Sequence, residues 1–275
     1  MSYESVRRKR TVLAVWLGLV LAVAAAKAEQ PSLPVATKLI LWLKADGGVT
    51  TAPESSEVTA WADQRAGDNQ KANDASCPAE EARPLRVDDA LNGRPVIRFD
   101  GRDDHLDFVL PVDGLEQLTI FLVAANATPQ DPTWAAHHHG AIGWVHTGAW
   151  GTVGLGPFQD YVAARFATTR TCGAVLYRRP ASLGSAASIT TACKNGTAHE
   201  LFVDGGRVWA GTLAAPSIRN TSDHGSVGCI YDDDPATDFY CGDVAELLVY
   251  AAALSDAQRQ AVERYLDDRW LSAAH

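Results

Sequence analysis

Apolar residues come along most of this chain in short runs closed by turn-forming dipeptides, a pattern that predicts strands rather than helices. Leu39-Ile40-Leu41-Trp42-Leu43 is one such run, bounded by Asp46-Gly47-Gly48. Val58 to Trp61 is another, followed by a polar loop from Asp63 to Asp74. Asn92-Gly93 predicts a tight turn into Val96-Ile97-Arg98-Phe99, and Asp100-Gly101 turns the chain again into Leu106-Asp107-Phe108. Thr119 to Ala125 lacks polar alternation and reads as a strand buried on both faces. Leu201-Phe202-Val203 reverses through Asp204-Gly205-Gly206 into Val208-Trp209, and Val227 to Tyr231 precedes a last strand, Asp243 to Tyr250. About a dozen short strands exceed what one open sheet holds, so two sheets are expected to pack face to face.

One segment changes period. Ser255 and Gln258 form the S-x-x-Q signature of a capping box, and Val262, Leu266 and Trp270, with Tyr265 beside them, lie three or four apart on one stripe. This single short C-terminal helix reads as a terminal plug on an all-β protein. Asp243 and Glu246 sit three apart in the last strand, so simple alternation sends them to opposite faces.

The first residues address the chain to export. Arg7-Arg8-Lys9-Arg10 is a basic start, Thr11 to Ala26 an apolar run, and Ala26-Lys27-Ala28 offers small residues at the two positions a signal peptidase reads. The run is shorter than the ~20 residues that span a bilayer, which favours a signal peptide at 1–28 over a membrane anchor. Arg7-Arg8 hints at twin-arginine export, but Lys9-Arg10-Thr11 stands where that signal turns apolar. Residues 29–37 then read as a loose leader, and the mature protein as secreted, periplasmic or cell-surface, without a membrane span. The whole chain carries 24 basic and 33 acidic residues, net −9. Removing 1–28 takes away five cations and Glu4, leaving a net charge of −13. Such an acidic chain disfavours nucleic-acid partners. Its five cysteines all follow the cleavage point, where disulfides persist. Cys229 with Cys241 and Cys172 with Cys193 each flank an excursion between predicted strands, leaving Cys77 over. No CxxC half-site favours zinc instead.

Several blocks carry a family resemblance. Leu41-Trp42-Leu43-Lys44-Ala45-Asp46, Val58-Thr59-Ala60-Trp61-Ala62-Asp63-Gln64, Leu91 to Gly101 with Asp103-Asp104-His105-Leu106, and Gly242 to Trp270 resemble, in order, the bacterial laminin-G-like jelly-roll domains of the concanavalin A-like superfamily. The resemblance covers residues 38–271. It implies a jelly-roll sandwich of two curved antiparallel sheets, a fold used to bind glycans or proteins on secreted and cell-surface molecules. Calcium is frequent in such relatives, although no residue here matches a calcium motif of theirs. The blocks themselves have structural reasons to exist: Asn92-Gly93 and Asp100-Gly101 turn the chain, Trp42 and Trp61 fill a core, and Asp63 caps backbone N–H groups.

Catalytic patterns are not found. Retaining glucanases need alternating acids on one strand, with their carboxyls about 5 Å apart, and no such run occurs. No Gly-x-Ser-x-Gly elbow occurs either. Two other features remain. Trp134, His137, His139, Trp144, His146 and Trp150 concentrate rings in the middle of the chain, where the resemblance is weakest. Aromatic faces there would stack on sugars, with a buried-core role or a histidine-held metal as the rivals. Asp232, Asp233, Asp234 and Asp238, between Cys229 and Cys241, would suit calcium or form a solvated acidic loop. The expectation is a secreted, non-catalytic module that binds polysaccharide or a glycosylated surface. A polysaccharide-degrading enzyme with dispersed acids and a protein-binding adhesion domain are the alternatives. Asn126, Asn195 and Asn220 head N-x-S/T sequons that matter only in a glycosylating host.

Overall fold

The strand expected at Asp243 to Tyr250 runs through the middle of one sheet as β17 (Cys241–Tyr250), buried without a break from Val244 to Tyr250. One edge pairs along its length with β8 (Gln117–Asn126). The other edge is divided: Cys241 to Val244 lie against β6 (Arg94–Asp100), whereas Glu246 to Tyr250 lie against β1 (Leu39–Lys44). The partner changes at a register shift between Val244 and Glu246, a β-bulge at Ala245, whose carbonyl accepts from Ala45 N at 2.8 Å. This computed structural model describes residues 32–65, 73–77, 79–127, 141–144, 154–157, 161–166, 173–178, 186–212, 216–218, 223–229 and 239–272.

β5 (Leu85–Leu91), β13 (Ser188–Asn195), β14 (Ala198–Val203) and β15 (Gly206–Thr212) complete this first sheet, in the order β15-β14-β13-β8-β17-β6-β5 with β1 also on β17. The second sheet contains β2 (Val49–Thr51), β3 (Val58–Trp61), β4 (Ala75–Ser76), β7 (Leu106–Val109), β9 (Ile142–Trp144), β10 (Gly154–Pro157), β11 (Tyr161–Phe166), β12 (Gly173–Arg178) and β16 (His224–Val227). Its order is β12-β11-β10-β9-β16-β7-β4-β3-β2. Every strand pairing among the described residues is antiparallel. Among the described residues seventeen strands stand where the periodicity gave about a dozen. The additional ones are largely pieces too short for a two-residue period to register, such as Val49–Thr51 and Ala75–Ser76.

Two of the tight reversals are two-residue hairpins that need left-handed backbone. Asn92 (φ 49°) and Gly93 (φ 70°) lie between the paired Leu91 and Arg94, and Asp204 (φ 47°) and Gly205 (φ 76°) lie between Val203 and Gly206. Asn and Asp tolerate that region and glycine adopts it freely, so these dipeptides fix the register of β5–β6 and β14–β15.

The two sheets share one apolar core. From the first come Leu41, Leu43, Ile97, Phe99, Leu118, Ile120, Leu122, Leu247 and Val249. From the second come Val58, Trp61, Leu106, Phe108, Ile142 and Val227, all buried. Alternation along β8 sends its other set, Thr119, Phe121 and Val123, to the far face of the first sheet. That face is also covered, which is why β8 reads as buried throughout its middle. Phe121 meets the Tyr250 ring edge-on, 5.8 Å between centroids.

The cover is the C-terminal helix. α1 (Asp256–Leu266) has the expected capping box: Ser255 Oγ accepts from Gln258 N, and Gln258 Oε1 accepts from Ser255 N at 3.1 Å. Val262 and Leu266 are fully buried, and a π-helical turn (Asp267–Leu271) carries Trp270 inward to full burial. α1 therefore lies over a sheet face as a lid rather than plugging the end of the sandwich. Trp42 belongs to this outer layer as well, while Trp61 fills the shared core as expected. The segment read as a loose leader is held where it is described: Leu33 and Val35 pack on the core, and Val35 O accepts from Tyr250 Oη at 2.8 Å.

Glu246 sits fully buried under the lid. It accepts from Trp42 Nε1 at 2.7 Å, Trp270 Nε1 at 2.6 Å and Tyr265 Oη at 3.2 Å, and lies 3.5 Å from Arg269 Nε. Burial pushes its pKa upward, opposed by the indole hydrogen bonds and the Arg269 charge. Arg269 is held from its other side by Asp46, which Arg94 also reaches at 3.1 Å. Replacing Glu246 with leucine leaves three donors without their acceptor and removes one of the two carboxylates beside Arg269. Urea unfolding of Glu246→Leu is expected to lose about 3–5 kcal/mol, with Glu246→Gln losing less because an amide oxygen still accepts.

Asp104 is another buried acid, in the turn between β6 and β7. Its Oδ2 accepts from Asp100 N at 2.8 Å, and burial, the largest cause, pushes its pKa up to about 6. A carboxyl raised in the fold contributes stability below its unfolded pKa of about 4 and loses that contribution as pH climbs through about 6. Without added divalent cations, Asp104→Asn should therefore gain up to about 3 kcal/mol on the parent between about pH 4 and pH 7. A constant difference across that range, read by urea titration, would refute this account.

Candidate functional site

Of the ring-bearing residues expected to contact a ligand, Trp134, His137, His139, His146 and Trp150 lie outside the described residues. Trp144 ends β9, where its backbone pairs with Gly225 of β16 and so joins the second sheet. Asp232, Asp233, Asp234 and Asp238 also lie outside the described residues. The base of their segment is fixed, because Cys229 forms a bridge pair with Phe239.

Among the described residues the expected disulfide joining Cys229 to Cys241 is not formed; Cys77, Cys193 and Cys241 are free thiols, and Cys172, the partner expected for Cys193, lies outside the described residues. Topology separates the partners. Cys229 continues the second sheet and sits with its sulfur 3.1 Å from Ser226 Oγ, whereas Cys241 opens β17 in the first sheet opposite Asp100. Cys193 lies inside β13, where burial pushes its thiol up to about 12, so it is a poor nucleophile as well as an unpaired one.

The carboxylates are placed more informatively. Asp243 pairs with Ala125 of β8 and Glu246 with Val123, two residues apart and hence on one face. The bulge at Ala245 thus overturns the expectation that Asp243 and Glu246 point to opposite faces. They are not a catalytic pair. Glu246 is held by the lid, and Asp243 takes a two-pronged ion pair from Arg98 at 2.7 and 2.8 Å. Asp63 caps as expected, accepting from Trp42 N at 3.1 Å and Arg65 N at 3.2 Å. Asp100, Asp103 and Asp104 bring ligand atoms within 4.8 Å of one another, the described group best able to surround a cation. Its oxygens already serve the turn, since Asp100 Oδ1 accepts from Arg102 N and Asp104 Oδ2 from Asp100 N, both at 2.8 Å. Turn geometry alone accounts for the cluster.

Depressions open on the outer face of the first sheet around α1. One, of about 440 Å³, lies between the Asp204-Gly205 turn and the helix; Gln260, Glu263, Arg264 and Asp267 form one wall and Ile189 part of the floor. Those four helical residues recur at i, i+3, i+4 and i+7, one face of α1. The opposite, apolar stripe is what made the helix legible in the sequence, and this polar face drew no notice because its partner wall comes from a turn some fifty residues earlier. A second depression, of about 450 Å³, is lined by Cys193, Asn195, Glu200 and Leu254 among others. Among the described residues no helix is long and apolar enough to cross a membrane.

No family model matches the sequence, and no curated protein matches it. Solved structures do resemble the fold. Domain 4 of an extracellular arabinanase from Geobacillus stearothermophilus, in complex with arabinotriose, aligns with a TM-score of 0.53 at 11% identity, over 82% of this chain and 97% of that one. The botulinum neurotoxin serotype D binding domain aligns at 0.55 and 11% identity, over 84% of this chain and 51% of that one. A Trypanosoma rangeli sialidase, in complex with a difluorinated keto-deoxy-nononic acid, aligns at 0.54 and 14% identity, over 86% of this chain and 33% of that one. The chain thus spans about half the length of the toxin domain and a third of the sialidase. At these identities the likeness establishes architecture alone: an all-β jelly-roll sandwich with, among the described residues, one short C-terminal α-helix.

Proposed function

We propose that this chain is a secreted, non-catalytic recognition module of laminin-G-like type that binds polysaccharide or a glycosylated surface. The observation that carries the reading is its end-to-end likeness to the arabinanase domain, 97% of which is covered and which was solved with a trisaccharide. A domain of that size contributes binding to a larger system, and the present fold has the same extent. The fate of the acids supports a non-catalytic role. Glu246 and Asp243 share a sheet face as hydrolase carboxylates would, yet one is buried beneath α1 and the other is spent on Arg98. Held in this way, these two acids do not flank a glycosidic bond as a hydrolase pair does.

The aromatic middle of the chain, from Trp134 to Trp150, is the proposed platform, with Trp144 and Trp150 stacking on sugar rings and His137, His139 and His146 orienting hydroxyls. β9, which carries Trp144, is paired within the second sheet between β10 and β16, whereas α1 covers the first. The acidic segment with Asp232, Asp233, Asp234 and Asp238 is proposed to take calcium, with its carboxylates as hard oxygen ligands. Export into a periplasm, onto a cell surface or beyond places such a module where polysaccharide is met.

The purified protein, offered a panel of immobilised polysaccharides with and without calcium, should be retained on at least one while releasing neither reducing nor unsaturated ends. Trp144→Ala and Trp150→Ala should weaken retention by about tenfold each, roughly the 1.4 kcal/mol of one lost stacking contact. Release of sugar ends would replace this reading with an enzyme. Retention on no glycan would replace it with a protein-adhesion domain.

A further inference from the structure

We infer that the depression between α1 and the Asp204-Gly205 turn is a sugar-hydroxyl site on the first sheet, separate from the aromatic platform. The inference rests on the reading of the chain as a glycan-recognition module. The depression, about 440 Å³, falls at the small end of the range for ligand pockets, a size suited to about one or two sugar rings.

Its walls are made of planar, multidentate groups. Asp204, Glu263 and Asp267 contribute carboxylates, Arg264 a guanidinium and Gln260 an amide. Each carboxylate is pre-oriented by a bond from the protein. Asp204 Oδ1 accepts from Ile189 N at 2.8 Å, and Asp267 Oδ2 from Ser272 Oγ at 2.7 Å. Glu263 accepts from Thr191 Oγ1 at 2.9 Å and from Arg259 at 2.5 Å. An ionised carboxylate has about four acceptor positions, so these bonds fix the groups without exhausting them. Fixed acceptors spare a ligand the entropy of ordering them. Arg264 and Gln260 are exposed on the helix and supply the matching donors.

Charge decides the class of ligand. Three carboxylates face Arg264 in the wall and Arg259 bonded to Glu263 behind it, so the formal charge is close to balanced and favours neither a polyanion nor a strong cation. What the wall offers is both acceptors and donors around one depression, the chemistry of a neutral sugar's hydroxyls. The floor admits a ring: Ile189 is apolar, and at Gly205 even an added Cβ would meet only Glu263 Oε2, at 3.7 Å.

The test titrates the full protein with arabino-, xylo-, manno- and cello-trioses by calorimetry or saturation-transfer NMR. Three variants are compared with the parent: Asp204→Asn, which tolerates the left-handed turn and keeps an acceptor for Ile189 N, and the surface changes Gln260→Ala and Asp267→Asn. At least one triose should bind, and each variant should weaken it by about five- to tenfold, the loss of one charge-assisted or neutral hydrogen bond. Asp88→Asn, an exposed change on β5 away from both surfaces, should leave that triose affinity unchanged. If trioses bind the parent and all three variants alike, the depression is not the site and the glycan-recognition reading survives. Binding of no triose and retention on no polysaccharide would overturn both.

Discussion

A fully buried carboxylate organises the C-terminal third of this protein. Glu246 gathers two indole N–H groups, a phenol and a guanidinium from three separate stretches of chain: Trp42 in β1, Tyr265 in α1, and Arg269 with Trp270 in the π-helical turn. An unpaired charge in that position would be prohibitive, so the helix docks with its polar tips converging on one residue and its apolar bodies around them. The lid is thereby fixed in register as well as covered. The indoles bury large apolar area while spending their one polar atom on the carboxylate, which is why tryptophan serves here better than phenylalanine.

This arrangement governs what the outer surface of the first sheet can do. α1 occupies the middle of the face, and the depressions lie beside it rather than beneath it. The bulge at Ala245 is part of the same device. It lets β17 exchange β6 for β1 as its neighbour and at the same time rotates Asp243 onto the face of Glu246. Two acids on one face resemble a hydrolase at first sight, yet their partners, a lid and an arginine, assign both to scaffold. On the proposed reading, recognition falls to surfaces that this scaffold holds in place, a division common where a fold hosts varied ligands.

Much of the fold was legible because its signals are local. The Leu39 to Leu43 run, the Asn92-Gly93 and Asp204-Gly205 turns and the Ser255 capping box each declare themselves within a few residues, through φ preference, burial or a reciprocal hydrogen bond. The site was less legible. The aromatic middle announced itself by composition alone, and the polar wall of α1 went unread because its other half, Asp204, had already been explained as a turn. The Cys229–Cys241 pair failed for a related reason: flanking one loop in sequence does not say where its two ends are carried, and Cys229 follows β16 of the second sheet whereas Cys241 opens β17 of the first.

Sequence by itself determined that this is an all-β protein with one C-terminal helix, where its principal turns fall and which residues cap them. Those features follow from the backbone preferences of neighbouring residues and from a period of two or three to four. Only the tertiary structure decided that the helix is a lid, that Trp42 serves the outer layer, that Asp243 and Glu246 share a face and that Asp204 meets α1 across a depression. Each of these depends on a bulge or a pairing between residues distant in the chain, and a one-residue slip in a strand reverses every side chain after it.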